Sequence, residues 1–302
     1  MRQLTHFIYY ESLRYAVFED GPATAPPLVM LHGFGGSHRS FDHLIPALSP
    51  HFRIIRPDLA GHGRTRCFHR EEAAECAAAR QCAGLHHILK QLELPVASGI
   101  IYGYSMGGRL ALQYALRYAG KSAGSEKIPP GAPALFVIES GTYGIADSVQ
   151  RAARRREDAL LAQQITSDFN GFLRSWNQKQ VFKTPAPLSP ELEEQQAQIR
   201  AGQRAAGLAA SLRGFGTGTM PCIRESLGHI RRPAELWTGA ADQKFTALAS
   251  DMMQLLGQGK HHTIQKAGHR VHLEQPETVI KRLIELRADG PLSARAATVS
   301  PT

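Results

Sequence analysis

The sequence predicts an α/β fold: a mostly parallel sheet of eight strands flanked by helices, with an all-helical segment inserted between two late strands. Three observations carry this expectation. Short apolar runs bounded by turn residues recur along the chain, helical patterns fall between them, and one long interval holds helical patterns only.

The elements follow in order. Residues near 3–10 and 12–19 read as an antiparallel ribbon at the sheet edge. Runs suited to buried parallel strands come next: PLVMLHG (27–33), FRIIRPD (52–58), GIIYGYS (99–105), PALFVIES (133–140), AELWTG (234–239) and KHHTIQKAG (260–268). Helical spacing is found around 40–49, 71–93, 106–119, 245–256 and 274–287. From Gly141 to about Arg232 there are only helical patterns, among them DALLAQQI, FNGFLRSWNQKQVF and LEEQQAQIRAGQRAAGLAASL. A core over 1–140 and 233–287 is therefore expected, with a helical lid over 141–232. Residues 121–132, KSAGSEKIPPGA, read as a polar surface loop, and 288–302 as a disordered tail.

A chain of 302 residues, 43% hydrophobic, can bury one large core or a core with an appendage. No run approaches the roughly 18 apolar residues of a membrane span, so no membrane insertion is expected. The N-terminal MRQLTHFIYYESLRY has no continuous apolar signal region, which points to the cytoplasm. Cys67, Cys76, Cys82 and Cys222 are scattered and read as reduced thiols. None of the 14 histidines stands in an HExxH or Cys/His cluster, so no metal is expected. A net charge of +9 raises the question of nucleic acid. The densest basic stretch, RAARRRED, lacks aromatic interleaving and any nucleic-acid motif, so a small anionic substrate or a solvated surface accounts for the charge instead. Oligomeric state is not written in these features.

Chemistry concentrates at GYSMG. Here Ser105 stands between a strand pattern and a helix pattern, with Gly103 and Gly107 on either side. That order is what a nucleophile elbow requires, because a strained serine lifts its hydroxyl clear of the sheet edge. The hydroxyl needs a base, and the base an orienting carboxylate, each on a loop just past a strand end. TGAADQKF offers Asp242 and KAGHRVHLEQP offers His269. Asp251 and His272 compete but fall inside or beside predicted helices. An oxyanion hole would use the backbone N–H of Met106 and that of Phe34 in LHGFGGS. His32 and Gly33 are expected to shape that turn, and Asp58, Gly61 and Gly63 of DLAGHGRT the next one.

LHGFGGS, DLAGHGRT, GYSMGGR, FVIESGTYG, GAADQKF and AGHRVHLEQP together resemble the α/β-hydrolase superfamily over nearly the whole chain. GYSMGGRLAL, with ARRREDALLAQQI, RSWNQKQVF and LRGFGTGTMP, is similar more narrowly to the menaquinone-pathway synthases of 2-succinyl-6-hydroxy-2,4-cyclohexadiene-1-carboxylate. The loop at 121–132 is longer than in that family, and Thr65 stands where serine is commoner.

The resemblance implies a lyase that eliminates pyruvate from a small tricarboxylate without metal or organic cofactor. Ser105, His269 and Asp242 would supply the base. Arg109, one helical turn past Ser105, faces the same side and can bind a carboxylate bidentately. By resemblance Arg154, Arg200 and Trp176 complete the anion pocket. Each has a plainer alternative. Arg154 can pair with Asp158, Arg200 can be a solvated charge, Trp176 can pack, and Tyr104 beside the serine can position substrate or pack. A carboxylesterase, or a ligand-binding protein without catalysis, would use the same fold.

Overall fold

The computed structural model describes residues 3–69, 72–120, 132–179, 182–183 and 185–289. The strands are β1 (Leu4–Tyr10), β2 (Leu13–Asp20), β3 (Pro27–Leu31), β4 (Arg53–Pro57), β5 (Arg66–Cys67), β6 (Ile100–Tyr104), β7 (Leu135–Glu139), β8 (Ala234–Gly239) and β9 (Gly259–Ile264). They form one sheet in the order β1-β2-β4-β3-β6-β7-β8-β9, with β5 paired to β2. β1 and β4 run antiparallel to β2, and the pairs from β4 through β9 are parallel.

β3, β6 and β7 are buried at every residue, as strands covered on both faces must be. Two differences from the sequence expectation concern the margins. β5 is a ninth strand, and two residues are too few to leave a periodic signature. The run at 260–268 forms a strand only over Gly259–Ile264, of which Ile264 alone is buried. Among the described residues it pairs only with β8 and so closes the sheet, which is why lysine and two histidines are tolerated there.

The helices of the core are α1 (Ile45–Leu48), α2 (Ala78–Gln91), α3 (Met106–Tyr118), α8 (Gln243–Leu255), α9 (Val271–Glu274) and α10 (Pro276–Asp289). One apolar cluster joins the sheet to α2, α3 and α8, and a second fills the other face beneath α1 and α10. The pattern at 71–93 is not one helix. A 3-10 turn over Ala73–Cys76 precedes α2, and the extended Ala77 separates them.

Between β7 and β8 lie α4 (Ser148–Ser167), α5 (Phe169–Asn177), α6 (Pro190–Ala201) and α7 (Ala205–Phe215), with no strand among the described residues. Side chains of Asp147, Asp168 and Ser189 accept the orphan N–H groups that open α4, α5 and α6. The insertion has a small core of its own, built from Ala162, Ile165, Phe172, Leu208, Ala209 and Leu212. α7 also presses on the sheet-bearing part. A Cβ on Gly207 would lie 2.4 Å from Gly61 O, and one on Gly214 would lie 2.0 Å from Ala73 O. Gly61 itself has φ +81°. Only glycine permits these backbone approaches. Residues 121–131 and 290–302, read above as a loop and a tail, lie outside the described residues.

Candidate active site

Ser105 joins β6 to α3 at φ 51°, ψ −103°, a conformation a serine adopts only under tertiary constraint. Its N–H donates to Glu139 O at 2.8 Å, and its carbonyl accepts from Arg109 N at 3.0 Å. The flanking glycines make the corner. A Cβ on Gly103 would meet Gly107 O at 2.3 Å, and one on Gly107 would meet Leu31 O at 2.0 Å.

Two loops at the same end of the sheet bring the partners expected from sequence. His269 Nε2 lies 3.1 Å from Ser105 Oγ, and its Nδ1 lies 2.7 Å from Asp242 Oδ2. His269 is 5% exposed, so this chain of contacts is largely shielded from water. Asp242 follows β8 and is fixed twice, its N–H donating to Gly239 O and its other oxygen accepting from Phe245 N at the start of α8. The competitors are used elsewhere. Asp251 pairs with Arg224 and Tyr143, and His272 with the buried Glu139.

The turn after β3 lies against the serine: a Cβ on Gly33 would be 3.7 Å from Ser105 Cβ. Gly36 N–H closes this turn onto Gly33 O at 3.1 Å. His32 is buried beneath it, with Nε2 accepting from Leu59 N and Nδ1–H donating to Gly33 O. Burial, opposed by the nearby Asp58, holds its pKa below the usual histidine value, which suits this neutral tautomer. His32 therefore ties the β3 and β4 loops together. Asp58 does the same from below, accepting from His38 N, His38 Nδ1 and Arg64 N. A Cβ on Gly63 would be 2.2 Å from its carboxylate, which explains that glycine. Phe34 stands in the turn beside Ser105. Met106, the first residue of α3, has an N–H with no acceptor within the helix.

A cavity of about 620 Å³ opens on Ser105 and His269, between the sheet end and the insertion. Tyr104, Arg109, Arg154 and Trp176 all line it. Arg109 is buried, and one guanidinium nitrogen, Nη1, donates to Phe215 O at 2.7 Å. Burial and then the charge of Arg154 push its pKa down to about 10. Arg154 pairs with Asp158 at 2.8 Å, so the intrahelical contact and the cavity placement hold together. Trp176 packs on Phe34 with ring centroids 5.3 Å apart, joining α5 to the turn after β3. Burial raises the Tyr104 pKa, with Glu139 adding to it, and its ring packs 4.5 Å from that of His272.

Arg200 is placed differently. It does not line the Ser105 cavity but an adjoining cleft that shares Phe34, Tyr104, Trp176 and Phe182 with it. Sequence reasoning also missed two cations that line the Ser105 cavity, Lys179 and Lys244. Lys179 lines the Ser105 cavity, its ammonium 4.6 Å from the Trp176 ring centre, and burial with Arg154 lowers its pKa. The signal was there: Lys179 follows Trp176 by three residues.

Residues 28–282 match the sequence model of the alpha/beta hydrolase family. The chain is 33% identical over 267 residues to a protein of Bacillus subtilis (strain 168) provisionally named 2-succinyl-6-hydroxy-2,4-cyclohexadiene-1-carboxylate synthase, covering 88% of this chain and 92% of that one. An Escherichia coli O139:H28 (strain E24377A / ETEC) protein bearing that synthase name is 28% identical over 278 residues, 90% of this chain and 98% of its own. Among solved structures, MenH from S. aureus superposes with a TM-score of 0.79 at 27% identity, covering 91% of this chain and 98% of that one. A strained serine after the sixth strand, a carboxylate after the eighth and an imidazole after the ninth sit within that matched span, and the chain belongs to the α/β-hydrolase family.

Proposed function

We propose that this protein is a 2-succinyl-6-hydroxy-2,4-cyclohexadiene-1-carboxylate synthase, a lyase of menaquinone biosynthesis. It would release pyruvate from 2-succinyl-5-enolpyruvyl-6-hydroxy-3-cyclohexene-1-carboxylate. The observation that carries the reading is a serine–histidine–aspartate chain opening onto a cavity lined by Arg109, Arg154 and Lys179. Relatives with that synthase name, aligned over most of both chains, support it.

The substrate has its ring double bond at carbon 3, and the product has two, at 2 and 4. A proton therefore leaves carbon 2, beside the succinyl carbonyl, and the C–O bond at carbon 5 breaks. Ser105 Oγ, with its proton drawn toward His269 Nε2, is the group in reach of that C–H, and Asp242 holds the Nδ1–H tautomer. The electron pair moves first onto the succinyl carbonyl oxygen, where the Phe34 and Met106 N–H groups would receive the charge. It then returns through the ring, forms the two double bonds and expels enolpyruvate, which takes a proton on carbon and becomes pyruvate. The cations hold the carboxylates while this happens. Neither water nor an acyl-enzyme enters the balance.

The test is to incubate purified protein with the enolpyruvyl substrate. Pyruvate and the cyclohexadiene should appear in equal amounts, and mass spectrometry of the quenched enzyme should show unmodified Ser105. Ser105→Ala and His269→Ala should each lower turnover by several orders of magnitude, and the double variant should be little worse. Stoichiometric acyl-Ser105 during turnover would instead mark a carboxylesterase.

A further inference from the structure

The loop that carries His269 has no regular structure of its own. Residues 265–270, between β9 and α9, form neither helix nor strand, and Lys266 stands at φ 57°, a conformation that favours glycine. Ala267, Gly268 and His269 are nevertheless buried. His269 Nε2 lies 3.1 Å from Ser105 Oγ, already near the upper limit of a good hydrogen bond. A drift of the loop by about 1 Å would break that contact and can cost on the order of a hundredfold in rate. Asp242 and Phe245, whose ring centre lies 4.5 Å from that of the imidazole, orient the side chain. Neither holds the backbone that carries it.

The stretch HLEQP supplies that hold. Glu274 Oε2 accepts from Gly268 N at 2.5 Å and Oε1 from Arg270 N at 3.2 Å, so one carboxylate grips the chain on both sides of His269. Gln275 Nε2 donates to Lys266 O at 3.2 Å and ties down the start of the same loop. On the opposite flank Ala267 O accepts from Ala241 N, beside Asp242. The turn that presents Glu274 is itself fixed. Leu273 N and Glu274 N both donate to Arg270 O, and Val271 and Leu273 are buried.

Two N–H groups converging on one side chain call for two acceptor oxygens, which a carboxylate has and an amide lacks. Burial raises the Glu274 pKa, and the two N–H groups with the Arg270 charge oppose that rise. Glu274 lines neither the Ser105 cavity nor the adjoining cleft of Gln196, Arg200 and Arg270, so a substrate bound in either does not touch it.

We propose that Glu274 is a positioning residue for the base: by gripping Gly268 N and Arg270 N it keeps His269 Nε2 aligned with Ser105 Oγ. This rests on the reading above of Ser105, His269 and Asp242 as the catalytic groups.

The experiment reads turnover and alignment separately, in the parent protein and in Glu274→Gln, at a temperature where circular dichroism shows both folded. Turnover is pyruvate release from the enolpyruvyl substrate. Alignment is the proton resonance of His269 Nδ1–H, which lies far downfield when a carboxylate accepts it and is identified by its loss in His269→Gln. The variant should lose fivefold or more in kcat with KM changed less than threefold, and its His269 signal should move upfield or broaden away. A residue that only supports the fold would lower the melting temperature and leave kcat and the resonance where they were. A kcat within fivefold of the parent value, a larger change in KM, or a loss of kcat with the His269 signal unmoved would overturn the proposal. Should Glu274→Gln fail to fold, Glu274→Asp replaces it. One methylene shorter, it reaches only one of the two N–H groups, with the same pattern expected and the same results against it. If the parent protein releases no pyruvate, the functional reading falls, while the His269 signal still decides whether Glu274 aligns the imidazole.

Discussion

His272 Nδ1 lies 2.8 Å from Glu139 Oε1, and both residues are almost completely buried beneath the candidate active site. The same carboxylate accepts from His272 N and from the Tyr102 hydroxyl, while the Glu139 main-chain carbonyl accepts from Ser105 N. One residue at the end of β7 therefore joins the strand that delivers the serine to the loop that delivers His269.

Replacing Glu139 with Gln keeps the shape but turns one acceptor oxygen into a donor. At least one buried N–H or O–H then loses its partner, which costs about 1–3 kcal/mol. Urea unfolding should show that loss with an unchanged m-value. kcat should fall together with it, because His269 stands three residues before His272. A variant as stable as the parent protein would show that this network does not hold the two loops.

Arg109 divides its guanidinium between the Phe215 carbonyl at the end of α7 and the cavity above Ser105. Lysine can satisfy one acceptor but cannot present a planar pair of donors. Arg109→Lys should lower kcat/KM for the tricarboxylate roughly ten- to a hundredfold, corresponding to about 1.5–3 kcal/mol for a charged hydrogen bond. Arg109→Ala should lose more and should also lower the melting temperature, because Phe215 O loses its donor. Steady-state kinetics beside thermal melts separate the two contributions; Arg109→Lys with unchanged kcat/KM would remove Arg109 from substrate binding.

Acid should destabilise the fold well above the range where carboxylates protonate. Burial pushes His43 down to about 4 and His62 down to about 3, with neighbouring histidines adding to both shifts. Each ring spends its one N–H on a main-chain carbonyl, His43 on His272 O and His62 on Ala60 O. Their other nitrogens are buried without partners, so protonation would add an unmet donor. The folded pKa values lie below the unfolded value near 6.5. The stabilisation is thus complete above about pH 6.5 and is lost as pH falls toward 4 and 3. Between pH 7 and pH 5 the two groups together should remove on the order of 3–4 kcal/mol. His62→Asn or His43→Gln, each able to keep its carbonyl bond, should flatten the pH dependence of the urea midpoint by close to one proton. A flat profile in the parent protein would contradict the assignment.

What the sequence made legible was whatever a short stretch encodes by itself. GYSMG specifies its corner locally, since Gly103 and Gly107 are needed within five residues of chain. Asp242 and His269 were readable because each sits on the first loop past a strand. The buried run of β7 is local in the same sense. The cleft was not readable. Gln196, Arg200 and Arg270 come from α6 and from a loop some seventy residues later, and only the folded insertion brings them together. Arg200 was placed with Arg109 by resemblance alone, and a motif match does not say which cavity a helix overhangs. The polar β9 was read as a buried strand because its place at the margin depends on what fails to pair beyond it.

The paired glycines Gly61 and Gly207, with Gly214 set against Ala73, have a consequence for any attempt to exchange the insertion between relatives. In sequence the segment between β7 and β8 looks like a cassette that can be cut at its two ends. Physically, α7 is seated in the sheet-bearing part, because its backbone meets two core loops where no side chain fits. A chimera that imports a foreign α7 with alanine at either glycine would force that helix off its seat and pull Phe215 O away from Arg109. A graft that crosses over before Ala205 keeps the native seat and changes only α4 to α6, the helices that carry Arg154, Trp176, Gln196 and Arg200. The joint for exchanging these helices therefore lies inside the insertion and not at its boundary.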